Sequence, residues 1–149
     1  MRRVMAAAAV AAGLALAAAG TVSAASGPAT VKTRHGKLGT FLVGTNGKTL
    51  YLFEKDKTKK SRCSGACATA WPPLLTTGKP KAAGKAKASL LGTTKRSDGT
   101  TQVTYNGHPV YYFIQDMKAG DTSGEGVDGF GAEWYVLSPS GKKIEKGDS

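Results

Sequence analysis

Two stretches of the chain carry one pattern of apolar and polar positions. Residues 39–56 read GTFLVGTNGKTLYLFEKD and residues 99–116 read GTTQVTYNGHPVYYFIQD, an ungapped match at an offset of 60 with eight identities. In each, two β-prone runs flank an Asn-Gly pair, Asn46-Gly47 and Asn106-Gly107. Both residue types tolerate positive φ, which a two-residue type I′ turn requires, so each copy predicts a β-hairpin. The arms that follow, Thr49–Phe53 and Val110–Ile114, are apolar or aromatic at nearly every position. Side chains alternate between faces along a strand, so Leu50 and Leu52 point one way and Tyr51 and Phe53 the other. A strand apolar on both faces is buried on both. These two arms are therefore expected at the centre of the molecule.

The remaining elements are shorter. Cys67 to Trp71 reads as one helical turn that Pro72-Pro73 would stop. Trp134–Leu137 reads as a strand, Pro139-Ser-Gly as a turn, and Lys143-Ile144 as an edge strand. Many short strands separated by turn signals predict an all-β fold with minor helix, pseudo-symmetric about its two hairpin repeats. The expected layout is a flexible segment over 25–35, then a single domain over 36–149. Its repeats span 36–75 and 96–144, joined by a basic linker at 76–89 (TTGKPKAAGKAKAS). Trp71 and Trp134, one after each copy, are expected to pack on the repeated aromatic strands.

Met1-Arg2-Arg3, an uncharged Ala-rich run from Val4 to Gly20, and small residues from Thr21 to Ala25 follow the three-part layout of a secretory signal peptide. Residues 1–24 are assigned to it, and the mature chain is expected outside the cytoplasm. Retention of the run as a membrane anchor is the alternative. The chain has 149 residues and a formal charge of +11; cleavage after Ala24 would remove two of its 21 basic residues and none of its 10 acidic ones, leaving +9. Hydrophobic residues at 40% and aromatics at 7% exclude wholesale disorder, and two cysteines exclude a disulfide-dense miniprotein.

The paired Tyr51-Leu-Phe53-Glu-Lys-Asp56 and Tyr111-Tyr-Phe113-Ile-Gln-Asp116 strings resemble the bacterial secreted repeat of unknown function. So do Cys63-Ser-Gly-Ala-Cys67 with Trp71-Pro72-Pro73, Arg96-Ser-Asp98-Gly99 and Asn106-Gly107-His108-Pro109. The resemblance runs from about residue 36 to 144 and implies an extracytoplasmic protein. It carries no established enzymatic activity and hence no catalytic residues. Many members have a lipid-bearing Cys near the cleavage zone, and this chain has none there.

Several residues are candidates for chemistry. In an oxidising exterior Cys63 and Cys67, four apart, suit a disulfide staple; a redox-active pair or half of a thiolate metal site are the alternatives. Tyr51, Phe53, Tyr111 and Phe113 suit core packing, with a ligand-stacking surface as the alternative. Asp56 and Asp116 suit turn or hydrogen-bond anchors, and could hold the tyrosine hydroxyls across the repeat; a paired-carboxylate hydrolase is the alternative. His35, His108 and Met117 share no metal-ligand spacing, so no metal or cofactor is expected. The loop from Asp116 to Gly131 is expected to be solvated. Lys57, Lys59, Lys60 and Arg62 form one basic stretch, and Lys79, Lys81, Lys85 and Lys87, continued by Lys95 and Arg96, form another. They suit a solvated face or an anion-binding surface. The expected function is that of a secreted non-catalytic envelope protein holding an anionic wall polymer or membrane surface. No nucleic-acid motif appears. A redox or metal-handling accessory built on Cys63 and Cys67 is the competing reading.

Overall fold

The computed structural model describes residues 27–145; the predicted signal segment lies outside them. Strand β1 (Thr30–Gly36) pairs antiparallel with β2 (Gly39–Val43), in register from Lys32 opposite Val43 to Gly36 opposite Gly39. Next come β3 (Tyr51–Phe53), the short helix α1 (Ala66–Ala70) and β4 (Lys81–Ala82). A single 3₁₀ turn at Ala88–Leu90 leads into β5 (Leu91–Lys95), β6 (Thr101–Tyr105) and β7 (His108–Pro109). Strands β8 (Asp128–Gly129) and β9 (Ala132–Val136) complete the order. Three small sheets result, β2-β1-β4, β5-β6-β7 and β3-β9-β8. The fold is all-β with one short helix.

The two copies of the Asn-Gly hairpin turn differently. In the second, Tyr105 pairs with His108, and Asn106 (φ 53°) and Gly107 (φ 81°) are both left-handed, as the two-residue turn requires. In the first, Gly47 alone is left-handed within the turn (φ 85°), the Gly47 N–H returns to Gly44 O, and the Gly44 N–H reaches Lys48 O. That corrects the expectation of a two-residue turn there. The loop is one residue wider, and the Asn46 side chain accepts the Lys48 N–H instead of Asn46 itself adopting positive φ.

The doubly apolar arms do sit at the centre. Tyr51 and Tyr111, equivalent residues of the two copies, exchange both backbone hydrogen bonds, Tyr51 N–H to Tyr111 O at 2.8 Å and Tyr111 N–H to Tyr51 O at 3.0 Å. A pseudo-twofold axis therefore passes between them. Tyr51 and Phe53 lie in one apolar cluster with Tyr111, Phe113, Trp71 and Trp134. Leu50 and Leu52 lie in the second, with Val31, Val103 and Val110. On the outer side, β3 pairs with β9, Phe53 opposite Trp134. The second arm meets residues 70–74 in the matching way, with Tyr112 N–H on Pro72 O and Ile114 N–H on Ala70 O. Pro72 and Pro73 lack donors, so this ladder is sparser than its counterpart.

Three segments are more ordered than expected. Residues 30–35, expected to be flexible, form β1, because Val31 is buried in the second cluster. The segment 76–89 is no free linker: β4 runs parallel to β1, Ala83 N–H bonds Val31 O, and the buried Thr76 hydroxyl accepts the Ala29 N–H. The loop after Asp116 is not solvated throughout, since Asp116, Gly124 and Glu125 are buried. Gly124 allows this. A Cβ there would lie 2.8 Å from Trp71 and 2.9 Å from Tyr51, so only a residue without one lets the backbone close on both rings.

Candidate functional site

Each copy's tyrosine reaches the other copy's aspartate. Tyr51 Oη donates to Asp116 Oδ2 at 2.6 Å, and Tyr111 Oη donates to Asp56 Oδ2 at 2.7 Å. The second carboxylate oxygens accept backbone N–H groups, Arg62 on Asp56 at 2.6 Å and Ser123 on Asp116 at 2.8 Å. Burial pushes both carboxyls above the ordinary range, opposed first by the tyrosine hydrogen bonds. Burial and the neighbouring carboxylates together push both phenols up. The hydroxyl therefore keeps its proton and donates it to the carboxylate. In each carboxylate one oxygen thus ties the two halves together and the other anchors the loop of its own half.

Four rings stack through the axis. Phe113 lies on Trp71 at 3.9 Å, Trp71 on Trp134 at 3.9 Å, and Trp134 on Phe53 at 4.0 Å, with Tyr51 and Tyr111 edge-on to the tryptophans. The same apolar cluster holds a disulfide between Cys63 and Cys67, whose Cα atoms are 5.2 Å apart. Cys67 sits in helix α1, and its N–H turns back to Ser64 O at 3.2 Å, next to Cys63. The two cysteines are 1% and 6% exposed, so the sulfur pair is core rather than surface.

The two halves diverge at the tyrosine hydroxyls. Around Tyr51 the second neighbour is the Gly124 N–H, 3.1 Å away. Around Tyr111 it is the Ser61 hydroxyl at 2.7 Å, and Ser61 in turn accepts from Arg96 Nη1 at 3.0 Å. Arg96 also donates to Gln102 Oε1 at 2.8 Å and to Cys63 O at 2.7 Å. Gln102 is buried and anchored by its own bond to Val110 O. This chain of bonds ends in an open cleft of about 440 Å³, lined by Lys60, Arg62, Lys95 and Arg96 with the hydroxyls of Ser61 and Ser97, and by no carboxylate. Asp56 and Asp98 feel the Arg96 charge; the oxygens of Asp56 hold the Tyr111 hydroxyl and the Arg62 N–H, and Asp98 Oδ1 holds Thr100.

The basic residues singled out in the sequence separate in space. Lys60 and Arg62 line the cleft, while Lys57 and Lys59 are exposed on the loop leading to it. Lys79, Lys81, Lys85 and Lys87 are exposed on the segment that carries β4 and do not line the cleft. Ser61, Ser97 and Gln102 were not candidates. Arg96 meets Ser61 across 35 positions, a closure no local spacing reveals; the signals were the Arg96-Ser-Asp98-Gly99 string and the position of Lys95 and Arg96 at the end of the second basic stretch. His35 lies on β1 beside Thr40, and Met117 is exposed. His108 is held below the usual imidazole range by burial. Among the described residues no three His, Cys, Asp or Glu side chains are grouped to hold a metal ion.

The model of a family described as a secreted repeat of unknown function matches the chain twice, over residues 32–75 and 92–138. The chain belongs to this family. The two matches fall on the two halves that the tyrosine exchange joins, so one secreted repeat supplies each side of the pseudo-twofold axis. No match is found among the curated proteins or the solved structures. Among the described residues no helix is long and apolar enough to cross a membrane.

Proposed function

We propose that this secreted-repeat protein is a non-catalytic module of the cell envelope, exported by the signal peptide at residues 1–24, that holds an anionic surface ligand. The observation that carries the reading is the cleft at Lys60, Arg62, Lys95 and Arg96, where four cations converge without a carboxylate in the lining. Among the described residues the contact ion pairs join Lys143 to Glu54 and Glu145, and none of the four forms one, although Asp56 faces Arg62 and Arg96 at longer range. With a formal charge of +11, or +9 once residues 1–24 are removed, the chain attracts polyanions at long range and then offers them a concave seat. The competing redox or metal-handling role has less support, since both sulfurs are already bonded and enclosed.

The test is co-sedimentation of the secreted chain with phosphatidylglycerol vesicles, against phosphatidylcholine vesicles, over a salt series. Binding to the anionic vesicles alone, falling steeply as salt rises, is expected. Absent binding, or binding indifferent to salt and headgroup, overturns the proposal.

A further inference from the structure

The duplication supplies an internal comparison for the cleft. At the repeat offset, its two walls, residues 60–64 and 95–97, correspond to residues 120–124 and 35–37. A second cleft of about 310 Å³ lies there, lined by Arg34, Lys37, Leu38, Phe41 and Asp121 among others. The pseudo-twofold relation thus presents one cleft twice, and the two copies have diverged. In the second, two cations face one carboxylate, a balance of +1, and two apolar side chains occupy the wall. In the first, four cations face none.

Arg96 explains what the first cleft is shaped to hold. Its three hydrogen bonds go to a hydroxyl, an amide oxygen and a backbone carbonyl, all neutral. The guanidinium is therefore fixed in direction with no carboxylate among its hydrogen-bond acceptors, although Asp56 and Asp98 lie close enough to feel its charge. Its anchors continue inward to buried groups, Ser61 to Tyr111 and Gln102 to Val110 O. A fixed planar fork is suited to oxyanions with several acceptor oxygens. Lys60 and Arg62 approach from one wall, Lys95 and Ser97 from the other. A carboxylate brings one charge and two oxygens. A phosphate monoester brings roughly −1.5 to −2 charge and three oxygens, which meets more of these donors and balances more of this charge.

We infer that the cleft walled by residues 60–64 and 95–97 is a dedicated phosphoryl-group site and that its pseudo-twofold mate is not. The inference rests on the anion-binding reading and deepens it: the ligand's recognised part is a phosphate, free or carried by a surface polyol or headgroup.

Calorimetric titration of the full chain with inorganic phosphate, glycerol 3-phosphate and acetate tests it, beside the vesicle assay. Two variants remove three charges each from exposed positions, Lys60→Ala/Arg62→Ala/Lys95→Ala in the cleft and Lys79→Ala/Lys81→Ala/Lys85→Ala outside it. Near-ultraviolet circular dichroism of the tryptophan stack confirms that both are folded. Phosphate or glycerol phosphate is expected to bind about tenfold or more tighter than acetate, with the cleft variant losing about tenfold and the other less than about twofold. Binding of glycerol phosphate but not phosphate identifies a carried phosphoryl group, and the reverse a free one. Equal binding of phosphate and acetate, or equal losses in both variants, overturns the site. If vesicles still bind under those outcomes, the broader anion-binding role stands; if neither vesicles nor phosphates bind, both proposals fall.

Discussion

Trp71 and Trp134 lie face to face at 3.9 Å with their planes 3° apart, each the other's counterpart across the pseudo-twofold axis. Each indole then stacks on a phenylalanine from the opposite copy, Trp71 on Phe113 and Trp134 on Phe53. Every face-to-face contact in the stack is thus a contact between copies, while the edge-on contacts of Tyr51 with Trp71 and Tyr111 with Trp134 lie within one, which makes the weak points of the fold identifiable.

Removing a tyrosine hydroxyl strands a buried carboxylate. Tyr51→Phe leaves Asp116 Oδ2 without its 2.6 Å donor, and Tyr111→Phe does the same to Asp56. Each substitution is expected to cost about 1–3 kcal/mol in urea unfolding. Tyr111→Phe should also lower oxyanion affinity, because Ser61 and through it Arg96 lose an anchor; Tyr51→Phe should leave that affinity unchanged.

Gly124 and Gly126 separate space from strain. Gly124→Ala would place a methyl 2.8 Å from Trp71, an overpacking expected to cost about 1–3 kcal/mol and to perturb indole fluorescence. Gly126→Ala meets nothing within 4 Å and strains only the backbone at φ 75°, so about 1 kcal/mol with unchanged fluorescence is expected. Equal fluorescence changes in the two would contradict the packing described for the loop.

The disulfide closes only a short loop, Cys63 to Cys67. Chain entropy alone assigns it about 2 kcal/mol. Cys63→Ala/Cys67→Ala should therefore fold, with a lowered urea midpoint. It should also bind phosphate more weakly, because Cys63 O is one of the three acceptors that orient Arg96. Unchanged affinity would show that the cleft does not depend on the staple.

Alkali should unfold the chain cooperatively. Burial raises the phenols of Tyr51, Tyr105, Tyr111 and Tyr112 above their ordinary value. Tyr135, hydrogen-bonded to Glu133, is pushed up to about 12. A raised folded value means that this stability is fully present below the unfolded value of about 10 and is lost as pH rises beyond it. Tyrosinate absorbance and loss of circular dichroism should therefore rise together; phenols ionising near their ordinary value in a folded chain would contradict this. On the acid side the raised Asp56 and Asp116 carboxyls bind protons more readily folded than unfolded. Those two groups add stability as pH falls towards their unfolded value of about 3.9, so acid unfolding must originate elsewhere.

The centre of the fold was legible because its signals are local. Eight identities at one offset mark the duplication, and the doubly apolar arm at Leu50–Phe53 marks a strand enclosed on both faces. Even the tyrosine–aspartate exchange could be suspected from the motif. The cleft was only half legible. Lys60 and Arg62 belong to a visible basic run, but the guanidinium that organises the cleft arrives from β5 and the turn after it, and its acceptors are a serine, a glutamine and a carbonyl that carry no pattern. The segment at 76–89 looked like a linker because Lys, Ala and Gly dominate it. Its order comes from backbone bonds to β1, which composition does not encode.

The exchanged tyrosine–aspartate bonds have a consequence for any shorter chain. A polypeptide with a single copy would expose an unmated phenol, an unmated carboxylate and both faces of a bare indole. Two such chains brought together head to head would satisfy all three at once. A half-length version should therefore be found as a homodimer or unfolded, and the protein described here is, in its internal geometry, a tethered dimer whose two protomers have since taken on different surface chemistry.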